Sequence, residues 1–248
     1  MIADLHFFLM ILSIAAVAFL YSSVGHGGAS GYLAVLSLFY VAPVKMGTSA
    51  LILNCLVSGV AFAAFFRAGH FSFRLTWPFI VASIPAALIG GALPVSIPFY
   101  RILLSVALAF AAFRLFLQVP MERRFVTHHA IPLSVALPAG CGIGLLSGIV
   151  GVGGGIFLSP LLLLKGWGDP KAVSASSALF ILANSIAGLL GRFFSGTFGV
   201  GGSLPFVIAA FLGGVMGAHL GANHFSGLAL RRLSAVVLVI AALKLVFV

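Results

Sequence analysis

The sequence predicts an all-α polytopic membrane protein: two inverted repeats of five apolar segments, each with a re-entrant, glycine-broken helical hairpin. Three observations carry this expectation. The 248 residues are 62% hydrophobic and 6% charged, with mean hydropathy +1.27, whereas a water-soluble domain carries about 25% charged residues. Apolar runs at 5–24, 47–66, 100–117 and 230–248 approach or reach the roughly 20 residues that cross a hydrocarbon core. Finally, the glycine, proline and polar landmarks of the first half recur in order in the second.

The recurrence is specific. Gly25-His26-Gly27-Gly28 lies over Gly151-Val152-Gly153-Gly154, "PVKMGTSAL" (43–51) over "DPKAVSASSAL" (169–179), and "FFRAGHF" (65–71) over "RFFSGTF" (192–198). Pro78 answers Pro205, Gly90 answers Gly217 and Arg101 answers Arg231, with the offset drifting only between 126 and 130. The chain is therefore expected to comprise a first repeat (1–117), a cytoplasmic linker "QVPMERRFVTHHA" (118–130) and a second repeat (131–248), forming one integral membrane domain.

The segments expected in the first repeat are 5–24, 32–42, 47–66, 77–93 and 100–117. In the second they are 131–150, 156–164, 172–190, 204–220 and 230–248. The second member of each set is short: at 1.5 Å per residue, 32–42 spans about 17 Å and 156–164 about 14 Å. A hydrocarbon core is about 30 Å thick, so each glycine turn is expected at depth, with the chain returning to the side it came from. The start "MIADLHFF" lacks the basic n-region of a removable signal peptide.

Charge sets the expected orientation. Alternate loops place Lys45, Arg101, Arg192 and Lys244 on one side. Arg67, Arg74, Arg114, Arg123, Arg124, Lys165, Lys171, Arg231 and Arg232 fall on the other. The richer side is cytoplasmic by the positive-inside rule, so both termini are expected outside. The same rule accounts for the net charge of +10 without invoking nucleic acid as a partner. With an odd number of segments per repeat, the second copy enters upside down and the two glycine tips approach from opposite faces.

Broken helices at matching positions of inverted repeats point to a transporter's substrate site. Glycine allows the turn and close approach of a ligand to the backbone. Helices beginning at about Tyr32 and Ile156 would aim N–H groups and positive dipole ends at the tips, which suits an anion. The candidate substrate-binding residues are Gly25, His26, Gly27, Gly28 and Ser30 at the first tip and Gly151, Gly153, Gly154 and Gly155 at the second. Thr48, Ser49 and Asn54 join them from segment three, and Ser176, Ser177 and Asn184 from segment eight. Hydroxyls and amides donate to oxyanions without the desolvation cost of a charge. His26 could add charge, relay a proton or simply bond a carbonyl. Lys45 and Lys171 are expected to snorkel to loop level. Gly140/Gly144/Gly148 and Gly213/Gly217/Gly221 have the four-residue spacing of close helix packing.

Several chemistries are disfavoured. The only carboxylates, Asp4, Glu122 and Asp169, fall outside the apolar segments, leaving no buried acid to carry a proton or hold Na⁺. The glycine clusters lack the Lys-Ser/Thr of a nucleotide-binding loop, and neither HExxH nor GxSxG occurs. No cofactor and no metal site is expected. Cys55 and Cys141 read as core thiols.

The duplicated pattern resembles the TauE/SafE family of sulfite exporter-like proteins. The matching residues are "SSVGHGGASGYL" with "GTSALILN" and "SGIVGVGGGIFLSPLL" with "SASSALFILAN". The resemblance implies a bacterial inner-membrane secondary carrier, expected to export sulfite, sulfoacetate or another sulfonate by alternating access around the tips. The first tip is more polar than the family's usual apolar continuation, and His26 and Ser30 would suit a doubly charged ligand. An anion channel, or a membrane enzyme or accessory subunit of sulfur metabolism, stays open beside this reading. Small-residue faces make a homodimer plausible.

Overall fold

The computed structural model describes residues 2–39, 41, 43–116, 131–199 and 204–223. The expected linker (118–130), the tenth segment (230–248) and Arg231, Arg232 and Lys244 lie outside the described residues, as do both chain ends. Among the described residues every regular element is helical. They are α1 (Ile2–Ser22), α2 (Ala29–Leu38), α3 (Pro43–Arg67), α4 (Phe73–Ala92), α5 (Ile97–Phe116), α6 (Leu133–Val150), α7 (Gly155–Leu164), α8 (Pro170–Phe194) and α9 (Leu204–Asn223). Each falls on one of the first nine expected segments, within a few residues at either end.

Six of these helices are long and apolar enough to cross a membrane: α1, α3, α4, α6, α8 and α9. Large apolar side chains face outward on them, with Phe8 61%, Phe194 72% and Leu204 70% exposed. Contiguous surface of that kind belongs against lipid. The main interior cluster joins Ile14, Tyr32, Leu33, Leu53, Val57, Leu104 and Leu108. It holds the short helix α2 among α1, α3 and α5.

Lengths match in pairs across the halves: α2 and α7 have 10 residues each, α3 and α8 have 25, and α4 and α9 have 20. The packing is exchanged to match, α4 lying on α6 and α9 on α1. Both contacts are glycine ladders. A Cβ on Gly140, Gly144 or Gly148 would run into the backbone of Phe79, Ser83 or Ala87. One on Gly213, Gly217 or Gly221 would meet that of Ala15, Phe19 or Ser23. Four-residue spacing places each glycine on one stripe of its helix, so the backbones approach to carbonyl contact, as expected for these six residues.

Helices α3 and α8 cross at the centre and run antiparallel, with Gly47 beside Arg192, Leu51 beside Gly188, and Asn54 bonded to Ser185. Asp169 starts α8, its carboxylate accepting from the N–H groups of Lys171 (2.9 Å) and Ala172 (3.1 Å), with Pro170 in the first turn. Lys45 is exposed, and Lys171, also exposed, donates through Nζ to the Ala222 carbonyl at 3.1 Å. Two expectations need correction. Cys141 is exposed on the outer face of α6, so it is no core thiol; Cys55 is half-buried, and both are free. Arg192 is not a loop residue, because α8 runs on to Phe194 and carries it inward, where it is 8% exposed.

The ladders generate a prediction. Gly144→Ala and Gly217→Ala should each destabilise the detergent-purified protein, by about 1–3 kcal/mol for overpacking, measured as thermal unfolding. Gly142→Ala, where an added Cβ meets nothing within 4 Å, should leave the transition unchanged or slightly raised.

Candidate functional site

Each short helix follows a break made by positive-φ glycine. In the first, Gly25 has φ 71° and Gly28 φ 92°; in the second, Gly151, Gly153 and Gly154 have φ 87°, 75° and 83°. Side-chain-bearing residues rarely adopt such angles, so α1 and α6 cannot continue. The breaks are buried; His26 alone among 25–28 and 151–155 is half-buried.

The two breaks meet. A Cβ on Gly27 would collide with Asn54 Oδ1 and one on Gly153 with Asn54 Nδ2, and each would also lie 2.9 Å from Ile181 Cγ2. Asn54 and Ile181 are each the twelfth residue of their helix, so they stand at equivalent levels of α3 and α8. The junction is therefore half polar and half apolar. Asn54, fully buried, is engaged at both ends: Oδ1 accepts from the Ala29 N–H at 3.2 Å, and Nδ2 donates to Ser185 Oγ at 2.9 Å. One N–H at the start of α2 is thus already engaged by the protein.

A second chain of bonds ties the halves together. His26 Nδ1 lies 2.9 Å from the Val24 carbonyl, Nε2 lies 3.1 Å from Ser159 Oγ, and Ser159 Oγ lies 2.7 Å from Ser177 Oγ. A carbonyl only accepts, so Nδ1 carries the proton; in the neutral ring Nε2 then accepts from Ser159. Ser174 Oγ also donates to Val24, at 3.0 Å, and its backbone packs against Gly25. At the other break Gly151 rests on the backbone of Gly47. Val150 accepts from Tyr100 OH at 3.1 Å, and Arg192 Nη2 donates to the carbonyls of Gly148 (3.3 Å) and Ile149 (2.9 Å).

Not every expected residue reaches the junction. Gly155 packs on Ile181, but Gly28 faces Tyr32 and Gly154 faces Ile143 and Phe180. Ser30 turns towards α1, donating to Tyr21 OH at 3.2 Å. Ser49 is buried on α3. Asn184 stands one turn beyond Ile181, fully buried, and neither its Nδ2 nor its Oδ1 meets a partner on the protein. Thr48 Oγ1, Ser176 Oγ and Tyr32 OH are likewise enclosed and unpartnered. Among the described residues no three His, Cys, Asp or Glu gather as they would around a metal ion.

With this geometry the relationship to known proteins is clear. A family profile described as "Sulfite exporter TauE/SafE" matches residues 10–245. The chain belongs to that family. It is also 34% identical over 240 residues to the "Probable membrane transporter protein y4hK" of Sinorhizobium fredii (strain NBRC 101917 / NGR234), covering 93% of this chain and 94% of the relative. No solved structure matches significantly. Family and apolar helices together make this TauE/SafE chain a multi-pass membrane protein of transporter type.

Several residues at the breaks were passed over in the sequence: Ser159, Ser174, Ile181, Ser185 and Arg192. A signal for most of them was present. Ser174, Ser177, Ile181, Ser185, Gly188 and Arg192 recur every three or four residues, one face of α8. The matching stripe of α3 is Gly47, Ala50, Asn54, Ser58, Ala61 and Phe65.

The bridging role of Asn54 is testable. Asn54→Ala should cost about 1–3 kcal/mol, since it strips the buried Ala29 N–H and Ser185 hydroxyl of a partner. Ser185→Ala should cost less. The double variant should be little worse than Asn54→Ala alone, read by chemical or thermal unfolding in detergent, because the two changes break one shared network.

Proposed function

We propose that the chain is a secondary carrier that exports sulfur-containing anions, such as sulfite, sulfoacetate or other sulfonates, by alternating access around the paired glycine breaks. The observation that carries this reading is the meeting of the two breaks at Asn54 and Ile181, with enclosed, unspent polar groups close by. Thr48 adjoins Gly47 under Gly151, Ser176 adjoins Ser177, and Tyr32 OH lies over Gly28. An unsatisfied buried polar group costs about 1–3 kcal/mol, and an oxyanion accepting from these donors offsets that cost.

The repeats are read as inverted because α3 and α8 run antiparallel and the α4–α6 and α9–α1 ladders exchange partners between halves. The hairpins are read as re-entrant because ten residues rise about 15 Å, half of a hydrocarbon core of about 30 Å. Removing the buried Arg192 from the loop charges leaves Lys45, Arg101 and Lys244 against the nine of the other side. That sharpens an orientation with both termini periplasmic in a bacterial inner membrane. An inside-negative potential favours outward movement of an anion by about 2.3 kcal/mol per charge per 100 mV. The His26–Ser159–Ser177 chain gives the two halves a shared element through which a change at one break is felt at the other.

Thermal unfolding of detergent-purified protein against sulfite, sulfate, sulfoacetate, taurine, isethionate and acetate tests the substrate class. A ligand that binds only the native state raises its apparent stability. A saturable rise with a sulfur oxyanion is expected, and a response confined to acetate would remove the sulfur assignment. His26→Ala should raise the half-saturating concentration about tenfold, and Ser30→Ala, whose hydroxyl is engaged by Tyr21, about twofold. Flux in reconstituted vesicles should show carrier-like saturation, and ionic currents far above it would indicate a channel.

A further inference from the structure

We infer that Arg192 is an anion-binding residue at the second break, supplying the positive charge against which the carried oxyanion is held. Arg192 is 8% exposed, and its described protein partners are the carbonyls of Gly148 and Ile149, both reached through Nη2. Its Nε–H is enclosed and meets no acceptor on the protein. A guanidinium offers five donors in a planar fork, so a buried one spent on two carbonyls retains both charge and an unused donor. Burying a cation without an anion is costly, and none of the chain's three carboxylates, Asp4, Glu122 and Asp169, belongs to an apolar segment of the sequence.

Packing does not explain the charge. The residue at the equivalent position of α3 is Phe65, 23rd in its helix as Arg192 is in α8. It is 2% exposed and packs with Ala175 and Ala222. The fold thus fills the equivalent place with a hydrocarbon ring. Capping explains no more: at the first break the Val24 carbonyl is satisfied by Ser174 and His26, without a permanent cation.

The surroundings also fit a ligand. Gly47 lies against the guanidinium, where a Cβ would stand 2.6 Å from Nη2. Gly47 is followed by Thr48, whose fully buried hydroxyl is unpartnered. The partner proposed is an oxyanion, such as sulfite, sulfate or a sulfonate, accepting from Nε–H. Such charge-assisted bonds are the stronger class, and the fork of an arginine matches an oxyanion better than an ammonium does.

This assignment rests on the carrier reading, and the test separates their failures. Half-saturating concentrations for sulfite, sulfate, methanesulfonate and acetate are measured by thermal shift on the wild type, Arg192→Gln and Arg192→Lys. Glutamine keeps a donor for the carbonyls and removes the charge. It should weaken the best wild-type ligand by more than about tenfold, the scale for losing one member of a buried charge pair. Lysine should fall between. Equal half-saturation in wild type and Arg192→Gln overturns the assignment and reduces Arg192 to a helix cap. If Arg192→Gln does not fold, Arg192→Lys decides: an unchanged value overturns the assignment, and a several-fold rise that Thr48→Val reproduces supports it. A wild type that answers only acetate defeats the sulfur substrate and leaves Arg192 to be tested with acetate. A wild type that answers no anion defeats both.

Discussion

Peptide N–H and C=O groups have no partner in lipid, and this constraint governs the centre of the molecule. A helix that breaks inside a membrane protein frees such groups, and the protein must satisfy them itself. Here several of these groups are met by side chains. Ser174 and His26 serve Val24, Asn54 serves Ala29, Tyr100 serves Val150, and Arg192 serves Gly148 and Ile149. Ser174 and Tyr100 reach their breaks from the opposite half of the chain, and Asn54 joins both halves through Ser185. The breaks are stable because the halves are interlocked, and neither half closes its own site.

The interlocking depends on backbone proximity. Hydrocarbon side chains gain little by leaving lipid for one another, so helix association draws on close van der Waals contact and small residues. The glycine ladders between α4 and α6 and between α1 and α9 supply that contact on the two flanks, leaving the α3–α8 crossing as the seam between them. Polar side chains collect along this seam, whereas the flanks carry bulky apolar residues outward. Close-packed flanks around a polar seam suit the carrier proposed above, in which the helix breaks hold the substrate.

Much of this was legible in the sequence because hydropathy and glycine spacing are local signals. Runs of about twenty apolar residues mark the helices, the clusters 25–28 and 151–155 mark the breaks, and four-residue glycine spacing marks the ladders. What was not legible needed a register between distant helices. Asn54 and Asn184 look like counterparts in the aligned repeats, yet α3 and α8 begin so that the counterpart of Asn54 is Ile181. Arg192 looked like a loop charge because the apolar run of α8 weakens after residue 190, but the helix continues one turn. Ser159 carried no signal of its own; only α7 folding back beside His26 gives it a partner. Cys141 resembles a core residue by composition, but composition does not say which side of a helix meets lipid.

The mismatch at the junction has a further meaning for the way such a protein works. Two identical halves related by a two-fold axis would give a carrier two mirror conformations of equal energy, with no preferred resting side. With an amide on one half and a branched hydrocarbon on the other, that degeneracy is lifted. In the alternating access proposed above, an opening that wets Asn54 meets an amide that tolerates water, whereas one that uncovers Ile181 meets a hydrocarbon that does not. For such a carrier, unequal wetting at a single pair of positions would bias which side stands open when it is empty, and divergence after duplication is all that is needed to create it.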